Sequence, residues 1–213
     1  MTTGTPSGDN LLSEGRLLPV MEEFYTLQGE GFNTGQAAYF IRVGGCDVGC
    51  RWCDVKESWN SSLFPPVSTD EVVDRAAAYP AKAIVVTGGE PLLYNMDYLC
   101  DRLHGHGIRI FLETSGSQPL SGNWDWICMS PKKDAPPLPE VAARASELKV
   151  IVHDDTDFGW AEENRRLVSS SCHLFLQPEW SRRSAMMPEI VRYIQAHPEW
   201  KISLQSHKYM RIP

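Results

Sequence analysis

The chain reads Gly44-Gly45-Cys46-Asp47-Val48-Gly49-Cys50-Arg51-Trp52-Cys53-Asp54 in one short stretch. Its three cysteines follow the pattern C-x3-C-x2-C. Three thiolates this close together suit one face of a cubane 4Fe–4S cluster, which accepts up to four cysteine ligands. One iron is then left without a protein ligand, and that iron can chelate a small molecule. The stretch therefore predicts an iron–sulfur site that also binds a ligand.

Two other uses of closely spaced cysteines need to be compared with the cluster. A structural zinc site needs four protein ligands, commonly from two C-x2-C pairs, whereas this chain has one triplet and no second pair. A disulfide framework is typical of short secreted chains. This chain has 213 residues, and residues 1–10 lack the basic and apolar stretches of a signal peptide. The cluster is favoured, and zinc stays open as the main alternative.

Composition narrows the class of ligand and the compartment. The formal net charge is −7 and no Lys/Arg-rich run is present, so we expect a small-molecule substrate and no nucleic acid. No apolar run approaches the ~20 residues that span a bilayer, so we expect no membrane association. Cys100, Cys128 and Cys172 lie in apolar surroundings and are predicted to be buried. Unpaired thiols and an oxygen-sensitive cluster fit the reducing cytoplasm.

Alternating strand and helix patterns define the fold class. Strands are predicted at residues 21–27, 39–43, 83–87, 109–113, 124–129, 148–152, 173–177 and 201–205. Helices are predicted at residues 68–78 (starting with a capping box), 96–104, 141–147, 156–168 and 188–197, the last with Pro188 in its first turn. Such alternation is typical of α/β folds with a parallel sheet. The chain is too short for a complete eightfold barrel of ~250 residues, so we predict a partial, open TIM-like β/α barrel. Residues 1–18 are predicted to be poorly ordered, and residues 19–213 to form one domain.

Candidate binding motifs follow four of the predicted strands. They are Gly88-Gly89-Glu90-Pro91, Glu113-Thr114-Ser115-Gly116, Ser130-Pro131-Lys132 and Gln177-Pro178. Ligands of parallel α/β sheets bind at the carboxyl ends of the strands. Each motif alone is a weak signal, and a Gly-Gly-Glu-Pro is usually just a turn. Together with the upstream cysteines they predict one composite site.

These motifs resemble those of the 7-carboxy-7-deazaguanine synthase family of the radical S-adenosylmethionine superfamily. Two further stretches resemble the same family: Leu27-Gln28-Gly29-Glu30-Gly31 and the ending Leu204-Gln205-Ser206-His207-Lys208-Tyr209-Met210-Arg211-Ile212-Pro213. The resemblance covers about residues 20–213. It implies a lyase that converts 6-carboxy-5,6,7,8-tetrahydropterin to 7-carboxy-7-deazaguanine and releases ammonia, in the pathway to queuosine and other 7-deazapurines. It also implies a radical mechanism in which S-adenosylmethionine supplies the radical.

The resemblance carries roles over to individual positions. The cluster ligands are Cys46, Cys50 and Cys53. The cofactor contacts are Trp52, Cys53, Asp54, Gly89, Ser130, Pro131, Lys132, Gln177, Pro178, Glu179 and Trp180. The substrate contacts are Leu27, Gln28, Gly29, Arg42, Thr87 and Pro213, with Glu30 suited to the amide-like edge of the pterin. A guanidinium can bind a carboxylate bidentately, which suits Arg42 to the substrate carboxylate. No protein residue is expected to act as a covalent nucleophile.

One position departs from the family pattern. Where many members carry a hydroxyl residue that ligates Mg²⁺, this chain has Val55, and an isopropyl group cannot bind a cation that requires oxygen. Magnesium then binds through substrate and water, or does not bind.

The resemblance further implies a homodimer and a reducing electron-donor protein. Two alternatives stay open: an activating enzyme that makes a glycyl radical on a partner protein, and a non-catalytic zinc or iron–sulfur module.

Overall fold

A computed structural model describes residues 8–213. The strands are β1 (Leu17–Leu18), β2 (Val20–Leu27), β3 (Ala37–Val43), β4 (Val67–Ser68), β5 (Ala83–Gly88), β6 (Arg109–Thr114), β7 (Trp126–Met129), β8 (Glu147–Val152), β9 (His173–Pro178) and β10 (Trp200–Ile202). The helices are α1 (Gly8–Ser13), α2 (Thr69–Ala77), α3 (Asp97–Gly105), α4 (Pro139–Arg144), α5 (Thr156–Arg165), α6 (Arg183–Ala196) and α7 (Ser206–Met210). None of the helices in this part of the chain has the length and apolar composition needed to cross a membrane.

Eight strands form one sheet in the order β10-β9-β8-β7-β6-β5-β3-β2. Every neighbouring pair from β3 to β10 is parallel, and β2 alone runs antiparallel, against β3. Because β2 and β10 lie at opposite ends of this order and do not pair, the sheet does not close. The predicted partial, open parallel barrel is confirmed.

The two faces of each strand bury different side chains, as the two-residue period of a strand requires. On β6, Ile110 and Leu112 are fully buried in the main apolar core that the sheet shares with the helices. Phe111 belongs to a second, smaller cluster with Val85 of β5 and Phe40 of β3. These alternate residues face the barrel interior. Polar residues further along the same inner face are therefore directed into the carboxyl end of the barrel.

A loop after β2, residues 28–36, crosses the amino-terminal mouth of the barrel. The Phe32 ring stacks on Trp126 at 4.7 Å and lies 4.4 Å from the His173 ring. The Phe32 amide donates to Oε2 of Glu147 at 3.1 Å. Trp126, Glu147 and His173 are the first residues of β7, β8 and β9. The loop therefore closes the barrel from below and forms the floor of any cavity above it.

The amino-terminal part differs from the prediction of a poorly ordered segment over residues 1–18. Residues 1–7 lie outside the described residues. Residues 8–18 form α1 and β1, and β1 pairs with β4. Leu18 is fully buried in the main core. Burial of this leucine accounts for the order of a segment whose composition is polar and Gly-rich.

Several predicted elements have different boundaries in the structure. The strand predicted at residues 124–129 begins at Trp126, and the helix predicted at residues 156–168 ends at Arg165. The helix predicted at residues 141–147 ends at Arg144, because Glu147 starts β8. Helix α6 begins at Arg183, so that Pro188 lies inside the helix and not in its first turn. The last strand ends at Ile202, and the polar residues after it form α7. The wrong boundaries arise where tertiary contacts outweigh local propensity.

The predicted capping box of α2 is also wrong in detail. The Ser68 side chain makes no capping hydrogen bond. Instead, the next hydroxyl, on Thr69, is buried and donates to the Gly15 carbonyl at 2.7 Å. The helix start is thus held by the amino-terminal segment, which the local sequence pattern does not include.

Replacing Gly31 with alanine should destabilise the protein more than replacing Gly35. Both glycines have positive φ, 64° and 88°, and this strain alone costs an alanine about 1 kcal/mol. A Cβ on Gly31 would lie 1.9 Å from Oε1 of Glu147, whereas one on Gly35 would meet nothing within 4 Å. We expect an additional loss of about 2 kcal/mol or more for Gly31→Ala, measured by urea unfolding. Equal losses in the two variants would contradict the close packing of the 28–36 loop against Glu147.

Candidate active site

One cavity of about 740 Å³ lies at the carboxyl ends of the parallel strands. It is lined by every residue predicted to bind a cluster, cofactor or substrate, with one exception. Those lining residues are Leu27, Gln28, Gly29, Arg42, Cys46, Cys50, Trp52, Cys53, Asp54, Thr87, Gly89, Ser130, Lys132, Gln177, Pro178, Glu179, Trp180 and Pro213. The exception is Pro131, which is buried between Ser130 and Lys132 and does not line the cavity.

The six cysteines divide into two groups. Cys46, Cys50 and Cys53 are partly exposed on the wall of the cavity. The other three cysteines, Cys100, Cys128 and Cys172, are buried, as predicted, and all six are free thiols. The three cavity thiols are therefore the ones available to bind a metal cluster.

Backbone hydrogen bonds hold the start of the cysteine loop. The amide of Gly45 donates to the Ser58 carbonyl at 2.6 Å, and the amide of Cys46 donates to the Trp59 carbonyl at 3.2 Å. Both carbonyls belong to a single 3₁₀ turn, Lys56–Trp59. The Tyr94 hydroxyl donates to the Gly44 carbonyl at 2.8 Å from the other side. The first cysteine is thus fixed by its surroundings, while the loop beyond it is more exposed.

The donor set fits an iron–sulfur cluster. Burial raises the pKa of the Cys46 thiol, while the amides of Val48 and Gly49 lower it through hydrogen bonds to the thiol. Burial also raises the pKa of the Cys50 thiol. Within residues 8–213, no three His, Cys, Asp or Glu side chains are drawn together tightly enough to hold a single metal ion. Three free thiols spread over one wall, with main-chain donors beside them, suit the face of a cluster.

The Gly88-Gly89-Glu90 turn is bonded directly to the cysteine loop. The Gly89 amide donates to the Val43 carbonyl at 2.9 Å, and the Glu90 amide donates to the Gly45 carbonyl at 2.8 Å. A Cβ on Gly89 would lie 1.9 Å from the Gly45 carbonyl oxygen. Only glycine allows this close approach. The turn and the cysteine loop therefore form one unit at the top of the sheet.

Glu90 anchors this unit from inside the protein. Its carboxylate is 1% exposed and accepts from the Thr114 hydroxyl at 2.6 Å and from the Ser115 amide at 2.8 Å. It also accepts from the Ser115 hydroxyl at 2.5 Å and from the Leu92 amide at 3.1 Å. The Gly-Gly-Glu-Pro and Glu-Thr-Ser-Gly motifs are thus joined by one carboxylate, which explains why both occur at strand ends.

An aromatic pair forms one side of the cavity near the cysteines. The Trp52 indole and the His153 imidazole are stacked, with centroids 5.3 Å apart and planes 9° apart. The Trp52 Nε1 and the His153 Nδ1 are buried without a hydrogen-bond partner among the described residues. That His153 nitrogen lies 3.6 Å from Oε2 of Glu179. Two buried donors or acceptors without partners beside a flat aromatic surface suit a planar, polar ring such as adenine.

The ends of β7 and β9 complete this side. Glu179 accepts from the amides of Ser181 and Arg182 at 3.0 and 3.1 Å, which caps a short 3₁₀ turn. The Lys132 ammonium donates to the Ser130 hydroxyl at 2.8 Å and to the Ser130 carbonyl. Burial lowers the pKa of Lys132. A cation and capped polar groups at the ends of β7 and β9 can bind the charged part of a cofactor.

The floor of the cavity is a charged network. Glu30 accepts from Lys149 Nζ at 2.7 Å and from Gln205 Nε2 at 3.0 Å. The same Lys149 donates to Glu113 at 2.9 Å. The amide of the predicted substrate contact Gln28 donates to Glu113 at 3.3 Å. Burial raises the pKa of Glu30, but the charge and hydrogen bond of Lys149 outweigh it and bring the pKa to about 2.

Lys149 is the residue of this floor that sequence reasoning missed. It lies in β8, Glu147–Val152, which the sequence predicts only as a strand over residues 148–152. The available signal is a lysine within the otherwise apolar strand at residues 148–152. A lysine that is buried needs a partner for its charge. The sequence did not indicate which carboxylates would supply the partner, since Glu30 and Glu113 lie on other elements.

The wall next to β3 carries the cation predicted to bind a carboxylate. Arg42 pairs in register with Thr87 on the adjacent strand. Its Nε lies 2.6 Å from Oε1 of Glu22 but, in this orientation, is buried without a hydrogen bond. The Arg42 guanidinium also lies 5.7 Å from the centre of the Phe24 ring. A guanidinium on a cavity wall is suited to an anionic ligand, even though this one is also paired with Glu22.

The carboxy terminus lies at the cavity, as predicted. The Ser206 amide donates to the Gly29 carbonyl at 2.9 Å, which ties α7 to the floor. Arg211 adopts a left-handed conformation with φ 57° and ends α7. This turn reverses the chain, so that the Ile212 amide bonds to the His207 carbonyl and Pro213 lines the cavity. Lys208 bonds to Asp54 of the cysteine loop at 2.8 Å.

Three free thiols, a glycine turn and polar groups at strand ends surround one cavity of an open parallel barrel. This arrangement is that of the radical S-adenosylmethionine class of proteins. The sequence profile of the Radical SAM superfamily matches residues 40–129. The chain belongs to the 7-carboxy-7-deazaguanine synthase family. It is 54% identical to the 7-carboxy-7-deazaguanine synthase of Flavobacterium psychrophilum over 95% of this chain and 96% of the relative. It is 45% identical to that of Synechocystis sp. over 91% of this chain and 93% of the relative.

A solved structure supports the same assignment. The crystal structure of QueE from Escherichia coli is similar to this chain with a TM-score of 0.80 and 29% identity. The similarity covers 95% of this chain and all of that chain. Both the family predicted from the motifs and the barrel predicted from the strand pattern are therefore confirmed.

Replacing Glu90 with glutamine should destabilise the protein markedly. The carboxylate accepts four hydrogen bonds in a buried site, and an amide group would turn one acceptor into a donor that faces donors. We expect a loss of about 2–4 kcal/mol, measured by thermal unfolding. The matched control is Glu163→Gln, because Glu163 is exposed on α5, and it should change stability by less than about 0.5 kcal/mol. Similar unfolding of the two variants would contradict the anchoring role of Glu90.

Proposed function

We propose that this enzyme converts 6-carboxy-5,6,7,8-tetrahydropterin to 7-carboxy-7-deazaguanine with release of ammonia, as a carbon–nitrogen lyase of 7-deazapurine biosynthesis. One observation carries the proposal: a single cavity has the three free thiols on one wall and Arg42, Glu30 and Pro213 around its other parts. The names of the relatives, with 54% and 45% identity over nearly the whole chain, support the choice of reaction.

The thiol end of the cavity is assigned to the cluster and to S-adenosylmethionine. Cys46, Cys50 and Cys53 would hold a 4Fe–4S cluster, and the stacked ring of Trp52 would lie against the adenine. The other proposed cofactor contacts are Asp54, Gly89, Ser130, Pro131, Lys132, Gln177, Pro178, Glu179 and Trp180. Pro131 stays in this set on the family resemblance alone, because it does not line the cavity. When bound, the cofactor supplies the radical that abstracts a hydrogen atom from the substrate.

The protein's own residues orient the substrate and exclude water. Arg42 would bind the pterin carboxylate, since it lines the cavity and a guanidinium can bind a carboxylate bidentately. Thr87 lies beside it in register. Leu27, Gln28 and Gly29 would support the ring, and the carboxylate of Pro213 would accept from the N–H groups of the ring. Holding a substrate in one orientation in a dry pocket lowers the entropic part of the barrier.

Magnesium has no protein ligand at the position where many relatives supply one. Val55 lines the cavity directly after Cys53 and Asp54. Its side chain has no oxygen, and Mg²⁺ requires oxygen ligands. We therefore propose that any Mg²⁺ at this site is held by substrate and water and not by residue 55.

The proposal extends to the protein's partners. Reduction of the cluster calls for an electron-donor protein, and free thiols at Cys46, Cys50 and Cys53 fit a reducing cytoplasm. A homodimer is proposed from the family resemblance. These assignments are separate from the chemistry, and the chemistry can be tested without them.

Anaerobic reconstitution followed by a turnover assay tests the cluster and the reaction. The wild-type protein should bind a 4Fe–4S cluster and, with S-adenosylmethionine and a chemical reductant, should form 7-carboxy-7-deazaguanine and ammonia. Cys50→Ala should lose the cluster absorbance, most of the bound iron and turnover, because one of three ligands is gone. Cys172→Ala removes a buried thiol outside the cavity and should keep the cluster absorbance, the bound iron and turnover.

The outcomes separate the alternatives. Zinc in place of iron and sulfide would support the zinc module. A normal cluster without product from the carboxylated pterin would favour an activating enzyme for a partner protein. Unchanged iron content and turnover in Cys50→Ala would overturn the cluster assignment.

A short peptide added after Pro213 should reduce turnover. The addition converts the terminal carboxylate to an amide and places bulk where Pro213 lines the cavity. We expect a loss of substrate affinity of about tenfold or more, with cluster content and S-adenosylmethionine binding unchanged. The matched control carries the same peptide before Met1 and should keep full activity. Full activity of the intact carboxy-terminal fusion, checked by mass spectrometry, would remove Pro213 from the site.

A further inference from the structure

A single ammonium group lies between two carboxylates in the floor of the cavity. Lys149 Nζ is 2.7 Å from Oε2 of Glu30 and 2.9 Å from Oε2 of Glu113. The Lys149 side chain is 5% exposed, and the two carboxylates are 19% and 21% exposed. Two like charges this close together disfavour each other in a poorly hydrated site. The lysine is therefore what allows both carboxylates to be present there as anions.

The other titratable groups packed around Lys149 do not replace its charge. On β8 itself, burial raises the pKa of Glu147. On β7, burial raises the pKa of Cys128 well above its usual value. On α7, burial lowers the pKa of His207. All three groups are thereby shifted toward their neutral forms.

A second cation, Lys132, acts on Lys149 by its charge but is bonded elsewhere. Lys132 lies after β7, its pKa is lowered by burial, and its ammonium donates to Ser130. The floor therefore consists of two carboxylates and one ammonium, with a net charge of −1.

The hydrogen bonds of the two carboxylates leave part of each free. In Glu30, one oxygen accepts from Gln205 and the other from Lys149. In Glu113, one oxygen accepts from Gln28 and the other from Lys149. A carboxylate has about four acceptor positions, so acceptor capacity remains on both groups. Both residues line the cavity. Such a surface suits a ring edge that carries neighbouring N–H donors.

We propose that Lys149 is a positioning residue for the substrate ring: it holds Glu30 and Glu113 side by side as anions, so that both can accept from N–H groups of the pterin. The inference rests on the proposed function. The 2-amino-4-oxo pyrimidine edge of a pterin offers an amino group and a ring N–H next to each other. Lys149 itself acts through the two carboxylates, and its low exposure fits this indirect role.

The test compares Lys149→Met with the wild type in the reconstituted holoenzyme. Without the cation, burial would raise the pKa of Glu30 from about 2. The carboxyl group would then take up a proton at a higher pH than in the wild type, and the assays look for this between about pH 8 and about pH 6. We expect the KM for the carboxylated pterin to rise about tenfold or more, with the increase growing toward low pH. The kcat of the variant should fall by a smaller factor than its KM rises. Cluster absorbance and S-adenosylmethionine binding should not change.

Two further variants make the test specific to charge. Lys149→Arg keeps the charge and should restore a KM that is independent of pH over this range, even if the absolute KM is higher. Lys149→Gln can donate a hydrogen bond but carries no charge, and it should behave as Lys149→Met; it takes the place of that variant if the methionine protein does not fold. Lys201→Met, at an exposed lysine of β10, should match the wild type.

Each outcome decides between the proposals. In one outcome, the wild type turns over the substrate while a neutral variant shows the wild-type dependence of KM on pH. That result would overturn the role of Lys149 and leave the proposed function standing. The same holds if Lys149→Arg is folded but follows the pH profile of the neutral variants. A reconstituted wild-type protein that does not turn over the carboxylated pterin would reject the proposed function and this inference with it.

Discussion

The open side of the barrel is the constraint on which the rest of the structure depends. Because β2 and β10 do not pair, the gap between them has to be filled by other backbone. The loop after β2 and the segment after β10 meet there: the Gly31 amide donates to the Ser203 hydroxyl at 2.9 Å, and the Ser206 amide donates to the Gly29 carbonyl. These hydrogen bonds hold the loop after β2 and the segment after β10 together, and both of them line the cavity.

The cavity formed in this way has two ends with different chemistry. At one end, backbone hydrogen bonds and glycine contacts hold a loop of three free thiols against the Gly88-Gly89 turn. At the other end, ion pairs hold two carboxylates around Lys149. Glu90 and Lys149 act alike in one respect, because each is a buried charged group that bonds to residues of other elements. Buried charges with a complete set of partners favour a single arrangement of a site.

Several parts of the fold and the site could be predicted from local sequence. The cysteine spacing, the glycine turn and the alternation of strands and helices each depend on residues close together in the chain. The family pattern then predicted which residues contact the cofactor and the substrate, and all of them but Pro131 line one cavity. Element ends were less predictable: Glu147 belongs to β8 rather than to the preceding helix, and α6 begins five residues before Pro188. Strand pairing and core burial decide those boundaries, and both depend on residues far apart in the chain.

By itself, the sequence determined the number and spacing of the thiols, the glycines that permit close backbone approach, and the class of sheet. Only the tertiary structure decided that Lys149 pairs with Glu30, 119 residues away, and with Glu113, 36 residues away. It also decided that Phe32 closes the amino-terminal mouth and that the left-handed turn at Arg211 returns Pro213 to the cavity. The physical reason is that strand register and barrel curvature set which inward-facing side chains meet, and no local spacing encodes either of them.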